Sequence, residues 1–338
     1  MSKSITKSIL SGERMALARL LTVVENGSPE GRGILDELFP HTGKAHLIGV
    51  TGAPGTGKSS LVNQMALNYR AGRTPKQVAI VAVDPSSPFT GGAVLGDRVR
   101  MRDLAGDPGV FIRSMASRGS LGGLAQATAA MVQVFDAAGF EVILIETVGA
   151  GQTEVDIARL AHTTLVVESP GLGDEIQAIK AGILEIADIL VVNKADLPGV
   201  ERTERALKGM LGLAHPVEKV LHHHGQVTTL LGSEPANAAL WVPPILRTIA
   251  TNGTGVGELV AAIEQHAQHL RLSGDWGRRE RARLEAELEG LLMETLVSQF
   301  RASIPDERFE EVVDKLVQRT VSPWEAVRDF LMGSKANQ

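Results

Sequence analysis

Short apolar runs alternate with stretches of helical periodicity along most of the chain, and this alternation constrains the fold more than any other feature. The runs are rich in Val, Ile and Leu, as expected of strands that are buried on both faces. Helical patterns fill the intervals between them, for example at 121–138 and 174–184. The predicted strands are 46–51, 78–83, 110–113, 142–145, 164–168, 189–192 and 245–250. The sequence therefore predicts an α/β fold with a mostly parallel sheet flanked by helices.

Helical segments precede and follow this region. Residues 5–40 carry apolar side chains at helical spacing, with a break at Gly27-Ser28-Pro29. A leucine stripe at helical spacing over 284–300 is typical of an intramolecular core or of a dimer helix. The basic side chains before it are expected to form a solvated face: Arg278, Arg279, Arg281 and Arg283. Two shorter helices are expected at 306–318 and 323–332. We therefore expect an N-terminal helical extension over 1–42, a central domain over 43–272 and a C-terminal helical arm over 273–338.

One segment of the central domain, 215–241, breaks the alternation. It contains His222-His223-His224 together with glycines and Pro235, and we interpret it as a long inserted loop. A metal site at the three histidines is disfavoured, because neighbouring residues of a strand point to opposite faces. The chain also has no cysteine that could complete a ligand set.

Composition excludes several classes of function. The 338 residues include 34 basic and 39 acidic side chains, for a net charge of −5, so nucleic acid or an anionic membrane is not the expected partner. The absence of cysteine excludes disulfides, thiolate metal sites and a cysteine nucleophile. No apolar run approaches the roughly 18–20 residues of a membrane-spanning helix. The first residues also lack the apolar segment of a secretory leader, so we expect a cytoplasmic protein.

The strongest motif follows the first predicted strand and opens a helix. It fits G-x-x-x-x-G-K-[ST] in full, and Ser60 directly follows it; its residues are Gly52, Ala53, Pro54, Gly55, Thr56, Gly57, Lys58 and Ser59. Glycines let consecutive N–H groups turn inward toward phosphate oxygens, and the helix adds the positive end of its dipole. Lys58 can reach the β- and γ-phosphates, and the Ser59 hydroxyl can bind Mg²⁺. The motif in this context predicts a P-loop NTPase fold.

A second motif, Asn193-Lys194-Ala195-Asp196, follows the predicted strand at 189–192. A carboxylate at Asp196 can accept hydrogen bonds from N1–H and the exocyclic amine of guanine, and adenine cannot make this pair. Asn193 would hold the loop, and the Lys194 stem would pack along the base. A polar turn after a strand is the alternative. The position downstream of a complete phosphate loop favours guanine, and therefore GTP and GDP as ligands.

Three carboxylates are candidates for a Mg²⁺ site. Asp84 and Glu146 end predicted strands, and Asp97 follows a glycine-rich stretch. Mg²⁺ keeps several waters and takes few protein ligands, so we expect Ser59 with one or two of these acids, and the others acting through water. Each acid could instead cap a helix or form a turn.

Two further loops could respond to the nucleotide. In the segment 149–154, Gln152 could orient a water or simply face solvent. The glycine-rich loop after the strand at 164–168 could move or could be an ordinary connection. Loss of the γ-phosphate would be expected to release the loops at 85–100 and 147–156.

Taken together, these segments resemble the MeaB/ArgK family of GTPases associated with methylmalonyl-CoA mutase, from about residue 8 to about 330. The specific matches are Val-Asp84-Pro-Ser-Ser-Pro-Phe-Thr-Gly-Gly, Gly96-Asp97-Arg98, Glu146-Thr-Val-Gly-Ala-Gly-Gln152-Thr-Glu154 and Gly171-Leu-Gly-Asp174-Glu-Ile-Gln177-Ala-Ile-Lys180-Ala-Gly182.

The resemblance implies a homodimeric GTPase that serves as chaperone to an adenosylcobalamin-dependent acyl-CoA mutase. Such proteins gate cofactor loading and protect or reactivate the mutase. By the same resemblance Asp97 and Glu146 act with Lys58 in catalysis and hold Mg²⁺. The loop 169–182, with Asp174, Gln177 and Lys180, would relay the nucleotide state to the partner, and the C-terminal helices would form a dimerisation arm.

One segment departs from the family pattern. The usual Ser-Ala-x that closes over guanine is Ile249-Ala250-Thr251 here, so backbone groups would have to make these contacts. Two other functions remain alternatives at this point, a P-loop kinase that transfers phosphate to a small molecule and a metal-insertion GTPase.

Overall fold

A computed structural model describes residues 2–85, 101–104, 106–117, 123–147, 159–171, 186–214, 221–223, 226–228 and 240–333. The chain divides into two compact units, 1–284 and 285–338. The strands of the first unit are β1 (His46–Thr51), β2 (Val78–Pro85), β3 (Val110–Ser117), β4 (Val142–Glu146), β5 (Thr163–Glu168), β6 (Ile189–Val192), β7 (Leu221–His223), β8 (Gln226–Thr228) and β9 (Ile245–Arg247).

Seven of these strands form one sheet in the order β3-β2-β4-β1-β5-β6-β9. Every strand pairing described in this sheet is parallel, which confirms the predicted fold class. Because the strands are parallel, their carboxyl ends lie along one edge and their amino ends along the opposite edge.

Helices cover both faces of the sheet. Those that the structure describes before residue 275 are α1 (Ser2–Leu10), α2 (Arg14–Glu25), α3 (Pro29–Leu38), α4 (Lys58–Ala71), α5 (Gly123–Ala137), α6 (Val200–Ala214) and α7 (Val256–Ser273). Alternate strand residues enter different cores: Leu47 packs in the cluster of α1–α3 and α5, and Ile48 in the cluster of α4 and α7. Every residue of β1, β4, β5 and β6 is buried, which explains their continuous apolar character.

The break predicted at Gly27-Ser28-Pro29 is a helix start. The Ser28 hydroxyl accepts the Gly31 N–H at 3.1 Å, and Pro29 occupies the first helical position of α3. The helix predicted over 174–184 lies outside the described residues.

Within 215–241, residues 221–223 (β7) and 226–228 (β8) pair as a short antiparallel hairpin, where the sequence predicted only loop. Two residues separate these strands in the sequence, and one of them is Gly225, a composition typical of hairpin connections. The prediction of loop was therefore wrong for 221–223 and 226–228.

Helix α8 (Asp275–Ser303) begins directly after Gly274, whose positive φ of 79° ends α7. The expectation that its basic residues form a solvated face was wrong for two of them. The Arg279 guanidinium is 2.7 Å from the Asp188 carboxylate, and the Arg283 side chain, only 10% exposed, pairs with Glu280 at 2.6 Å. Sequence spacing could not show the partner of Arg279, since Asp188 lies 91 residues away in the chain.

The second unit, 285–338, contains the rest of α8 together with α9 (Asp306–Val317) and α10 (Pro323–Gly333). The Phe309 and Phe330 rings stack with centroids 5.9 Å apart and join α9 to α10. Much of the predicted leucine stripe is exposed; Leu288, Leu291, Leu292 and Leu296 are 41–62% accessible. Among the helices that the structure describes, none has the length and apolar content to cross a bilayer.

Candidate nucleotide-binding site

The glycine-rich segment connects β1 to α4 at the carboxyl edge of the sheet. Gly52, Gly55 and Gly57 all have positive φ, at 138°, 81° and 90°. A Cβ on Gly52 would lie 2.0 Å from the Val167 carbonyl oxygen of β5, so this position has no room for a larger residue. The sequence motif thus forms a tight loop whose glycines are required by conformation and by space.

Lys58 is the first residue of α4 and is buried, with 6% of its surface exposed. Its ammonium donates hydrogen bonds to the carbonyl oxygens of Gly52 at 2.7 Å and Ala53 at 2.9 Å. Phosphate oxygens are stronger acceptors for an ammonium than neutral carbonyls. The lysine therefore sits where a phosphate bound in the loop could exchange places with these carbonyls.

A second pair of polar groups lies beside this lysine. The Ser59 hydroxyl donates to Glu146 Oε1 at 2.6 Å. Glu146 ends β4, which is hydrogen-bonded to β1, and pairs in register with Val50. Two hard oxygen ligands thus converge next to the phosphate loop, a donor set that fits Mg²⁺.

The other two candidate acids are placed less closely. Asp84 lies near the end of β2 at the same edge of the sheet, two residues beyond the Ala82 that pairs with Glu146. Asp97 lies outside the described residues, and so do Gln152, Asp174, Gln177 and Lys180.

Asn193, directly after β6, joins three segments of this edge. Its amide nitrogen donates to the Thr56 carbonyl oxygen at 2.8 Å, which ties it to the phosphate loop. Its amide oxygen accepts the Thr248 hydroxyl and the Ala250 N–H, each at 3.1 Å. The closing segment that lacks the family serine is therefore held through Thr248, a residue that the sequence analysis missed. Its signal was available, since Thr248 directly precedes Ile249-Ala250-Thr251.

The neighbouring residues complete this arrangement. Lys194 has a positive φ of 55°, and its ammonium donates to the Gly55 carbonyl oxygen at 2.7 Å. The Asp196 side chain is exposed on the turn that follows. Asn193, the first residue of the motif, is thus buried and holds the loop. Asp196, the last residue, presents an accessible carboxylate, as a segment that recognises a base requires.

These features define a P-loop GTPase. A glycine-rich loop connects a strand to a helix, a carboxylate ends the neighbouring strand, and an Asn-Lys-x-Asp turn follows a third strand. The family model described as "Methylmalonyl Co-A mutase-associated GTPase MeaB" matches residues 17–304. The chain belongs to this family, and the predicted family, fold and GTP hydrolase activity are confirmed.

Known proteins support the same conclusion. A Pyrococcus abyssi protein with a GTPase name is 42% identical over 326 residues, which cover 96% of this chain and 94% of the relative. The Escherichia coli protein GTPase ArgK is 36% identical over 293 residues, 86% of this chain and 82% of its own. The crystal structure titled LAO/AO transport system kinase has a TM-score of 0.66 and 25% identity, and the match covers 99% of this chain and 97% of that one.

Proposed function

We propose that this GTPase is a chaperone of an adenosylcobalamin-dependent acyl-CoA mutase of the methylmalonyl-CoA mutase type. It gates loading of the cofactor and protects or reactivates the mutase, and hydrolysis of GTP to GDP switches between these states. The observation that carries the proposal is the match over 17–304 to a family whose description names the association with methylmalonyl-CoA mutase.

In this proposal residues 52–60 hold the phosphates. Lys58 leaves the carbonyl oxygens of Gly52 and Ala53 and neutralises charge on the transferred phosphoryl group. Ser59 and Glu146 would hold Mg²⁺, with Asp84 and Asp97 as further ligands directly or through water. When bound, the ion would supply positive charge that offsets the negative charge of the phosphates.

The base is read at the turn after β6. Asp196 accepts the two guanine donors, and Lys194 packs along the base plane. Asn193 holds the closing segment, where the Ala250 backbone replaces the missing serine contact; Ile249 and Thr251 flank it. Support comes from the contacts of Asn193 to Thr56, Thr248 and Ala250.

The partner surface is proposed at the loop after β5, with Asp174, Gln177 and Lys180 as its contacts. That loop leaves the carboxyl edge where the phosphates bind, so a change of nucleotide can reach it directly. We further propose that the arm over 273–338 forms a homodimer. The exposed leucines of α8 are apolar surface that a second copy could cover, and sedimentation of the full chain as a monomer would contradict this.

A pull-down from the native cell tests the partner. The tagged full-length protein is loaded with GDP or with a non-hydrolysable GTP analogue, and co-purifying proteins are identified by mass spectrometry. We expect a cobalamin-dependent acyl-CoA mutase whose yield differs between the two nucleotides. Absence of any such mutase in both states would contradict the proposal. The pull-down is repeated with Lys194→Ala, which changes a lysine of the nucleotide site. Lys44→Ala, which changes an exposed lysine elsewhere, is its control.

The two alternative functions, a P-loop kinase and a metal-insertion GTPase, predict different experimental results. A kinase would place the phosphate of GTP on a small molecule instead of releasing it into water. A metal-insertion GTPase would bind nickel stoichiometrically. Among the residues that the structure describes, no group of three or more His, Asp or Glu side chains could hold a metal ion.

A further inference from the structure

A buried network of polar side chains, most of them ionisable, lies at the amino ends of β1, β5 and β6, on the edge of the sheet opposite the nucleotide site. Its members start or directly precede these strands or come from α7, and each is at most 6% exposed: His46, His162, Thr163, Asp188 and His266. None of them takes part in the nucleotide chemistry described above. Burial of so many polar groups is costly unless each one is hydrogen-bonded.

The contacts form a continuous chain. His46 Nε2 is 2.8 Å from Thr163 Oγ1, Thr163 Oγ1 is 2.9 Å from His266 Nδ1, and His266 Nε2 is 3.3 Å from Asp188 Oδ1. The carboxylate can only accept, so the hydrogen of His266 belongs on Nε2, and Nδ1 accepts the Thr163 hydroxyl. Thr163 in turn accepts from His46 Nε2. Every contact is satisfied with both imidazoles neutral.

His162 shows most clearly that the neutral form is required. Its Nδ1 accepts the backbone N–H of Leu47 at 3.1 Å, and its Nε2 is 3.2 Å from Glu280 Oε2. A second proton on the ring would have to sit on Nδ1, where it would face the Leu47 N–H. Protonation of His162 therefore breaks a buried hydrogen bond and sets two donors against each other.

The network also holds the first turns of α8. Arg279 donates to both oxygens of Asp188 at 2.7 and 2.8 Å and to the His162 carbonyl oxygen at 2.8 Å. The Trp276 ring stacks on the His162 ring with centroids 3.9 Å apart. The Arg271 guanidinium carbon lies 4.3 Å from the centroid of the Trp276 ring. The attachment of 276–280 to the sheet therefore depends on His162 and Asp188.

We propose that this network is an acid-opened latch, which holds residues 276–280 of α8 on the sheet while the imidazoles are neutral and releases them when the imidazoles take up protons. This inference is independent of the proposed partner. The strands that the latch joins end at the phosphate loop (β1), at residues 169–171 (β5) and at Asn193 (β6), so its state bears on the segments that bind nucleotide.

Charged groups from every element around the histidines bear on this equilibrium. His162 faces Glu280, Arg279 and Arg283 of α8. His46 faces His162, Arg271 and His266, and also Lys76 before β2. His266 faces Asp188, Arg279, His269 and Asp275. The carboxylates favour protonation and the arginines oppose it, and burial opposes it at all three rings.

Burial lowers the pKa of His162, although Glu280 raises it, and burial lowers the pKa of His46 well below 6.5. Burial lowers the pKa of His266 to about 4, against the influence of Asp188. Below pH 6.5 the open form therefore binds more protons than the closed form, so acid favours opening and neutral pH favours closure. Each histidine that gains a proton only on opening raises the opening equilibrium about tenfold per pH unit.

The fluorescence of Trp276 in the full-length protein tests the latch. The signal of this residue is the difference between the emission of the wild type and that of Trp276→Phe, recorded from pH 7.5 to pH 4.5. We expect a red shift of that difference spectrum below pH 6.5, while far-UV circular dichroism shows that the sheet is retained. No shift, or a shift that coincides with loss of secondary structure, would overturn the proposal.

Two substitutions connect the shift to the histidines. In His162→Asn the amide oxygen can accept the Leu47 N–H but does not titrate, so the rise in opening from pH 7.5 to pH 5 should be about tenfold smaller than in the wild type. His266→Asn supplies the same test at the second ring if the first variant does not fold at pH 7.5. The exposed His41→Asn is the matched control, with wild-type behaviour expected. Titration of both network variants like the wild type would overturn the proposal.

Discussion

The two edges of the same parallel sheet carry very different polar groups. At the carboxyl edge, Lys58 and Lys194 bind backbone carbonyl oxygens of the phosphate loop, and Ser59 binds Glu146. At the amino edge, Asp188 binds a guanidinium, a backbone N–H and an imidazole within a buried network. The first set consists of contacts around the phosphate loop that a phosphate or a cation can replace. The second set joins separate strands and helices through buried groups that bond to one another. The carboxyl edge is therefore suited to binding a ligand, and the amino edge to holding elements of the fold together.

The largest effect is expected at the carboxyl edge. Lys58→Ala removes the ammonium that neutralises phosphate charge, and GTP hydrolysis should fall by roughly 10²–10³-fold or more. The fold should be retained, because the hydrogen bonds described for this ammonium, to the carbonyl oxygens of Gly52 and Ala53, lie within its own loop. Phosphate release under steady-state conditions measures the change. Lys44→Ala, an exposed lysine before β1, should hydrolyse GTP like the wild type, and unchanged turnover in Lys58→Ala would refute its role.

Substitutions at the amino edge should instead lower the free energy of unfolding. Asp188→Ala leaves the buried His266 ring, the Thr164 N–H and the partly exposed Arg279 without their carboxylate, and each buried donor left without an acceptor costs about 1–3 kcal/mol. Urea unfolding of the full chain would measure this loss. The exposed Asp196→Ala should unfold within about 0.5 kcal/mol of the wild type. Equal stability of the two variants would show that the contrast between the edges is wrong.

A smaller effect is expected at Thr248. Thr248→Val keeps the shape but removes the hydroxyl that Asn193 accepts, at a cost of about 1 kcal/mol, so GDP should bind roughly fivefold more weakly. Titration with a fluorescent GDP analogue measures this. Thr254→Val, at an exposed position in the following turn, should bind GDP normally. Identical affinities in the two variants would mean that Thr248 does not position the base-reading segment.

The same contrast decides how much the sequence could predict. The phosphate loop is one unbroken run of residues, and so is the Asn-Lys-x-Asp turn. The residue spacing within each run follows from the ligand group that it binds, so the sequence alone predicts both motifs. Strands β1, β4, β5 and β6 are predictable because each is buried throughout and therefore continuously apolar. A parallel sheet places Glu146 at the same edge as Ser59, and the pairing of β4 with β1, which the structure shows, brings the two side chains together.

The amino edge gave no comparable signal. His46, His162 and His266 are single residues more than 100 positions apart, and no spacing rule connects them. Arg279 lies in a basic stretch that resembles a solvated face, yet its partner is the buried Asp188. Thr248 falls between these cases, since it is adjacent to a recognised segment but acts through a side chain 55 residues earlier. Tertiary contacts between isolated polar residues are set by the fold, and only the fold shows them.

The guanine-specific hydrolase activity is the central claim, and phosphate release from GTP and ATP at equal concentrations tests it most directly. Asp196 can pair with the two donors of guanine and not with adenine, and two hydrogen bonds to a charged group favour GTP by roughly 10²-fold in kcat/KM. Asp196→Asn should lose most of that preference while it retains the fold. Equal rates with GTP and ATP in the wild-type protein would contradict the account.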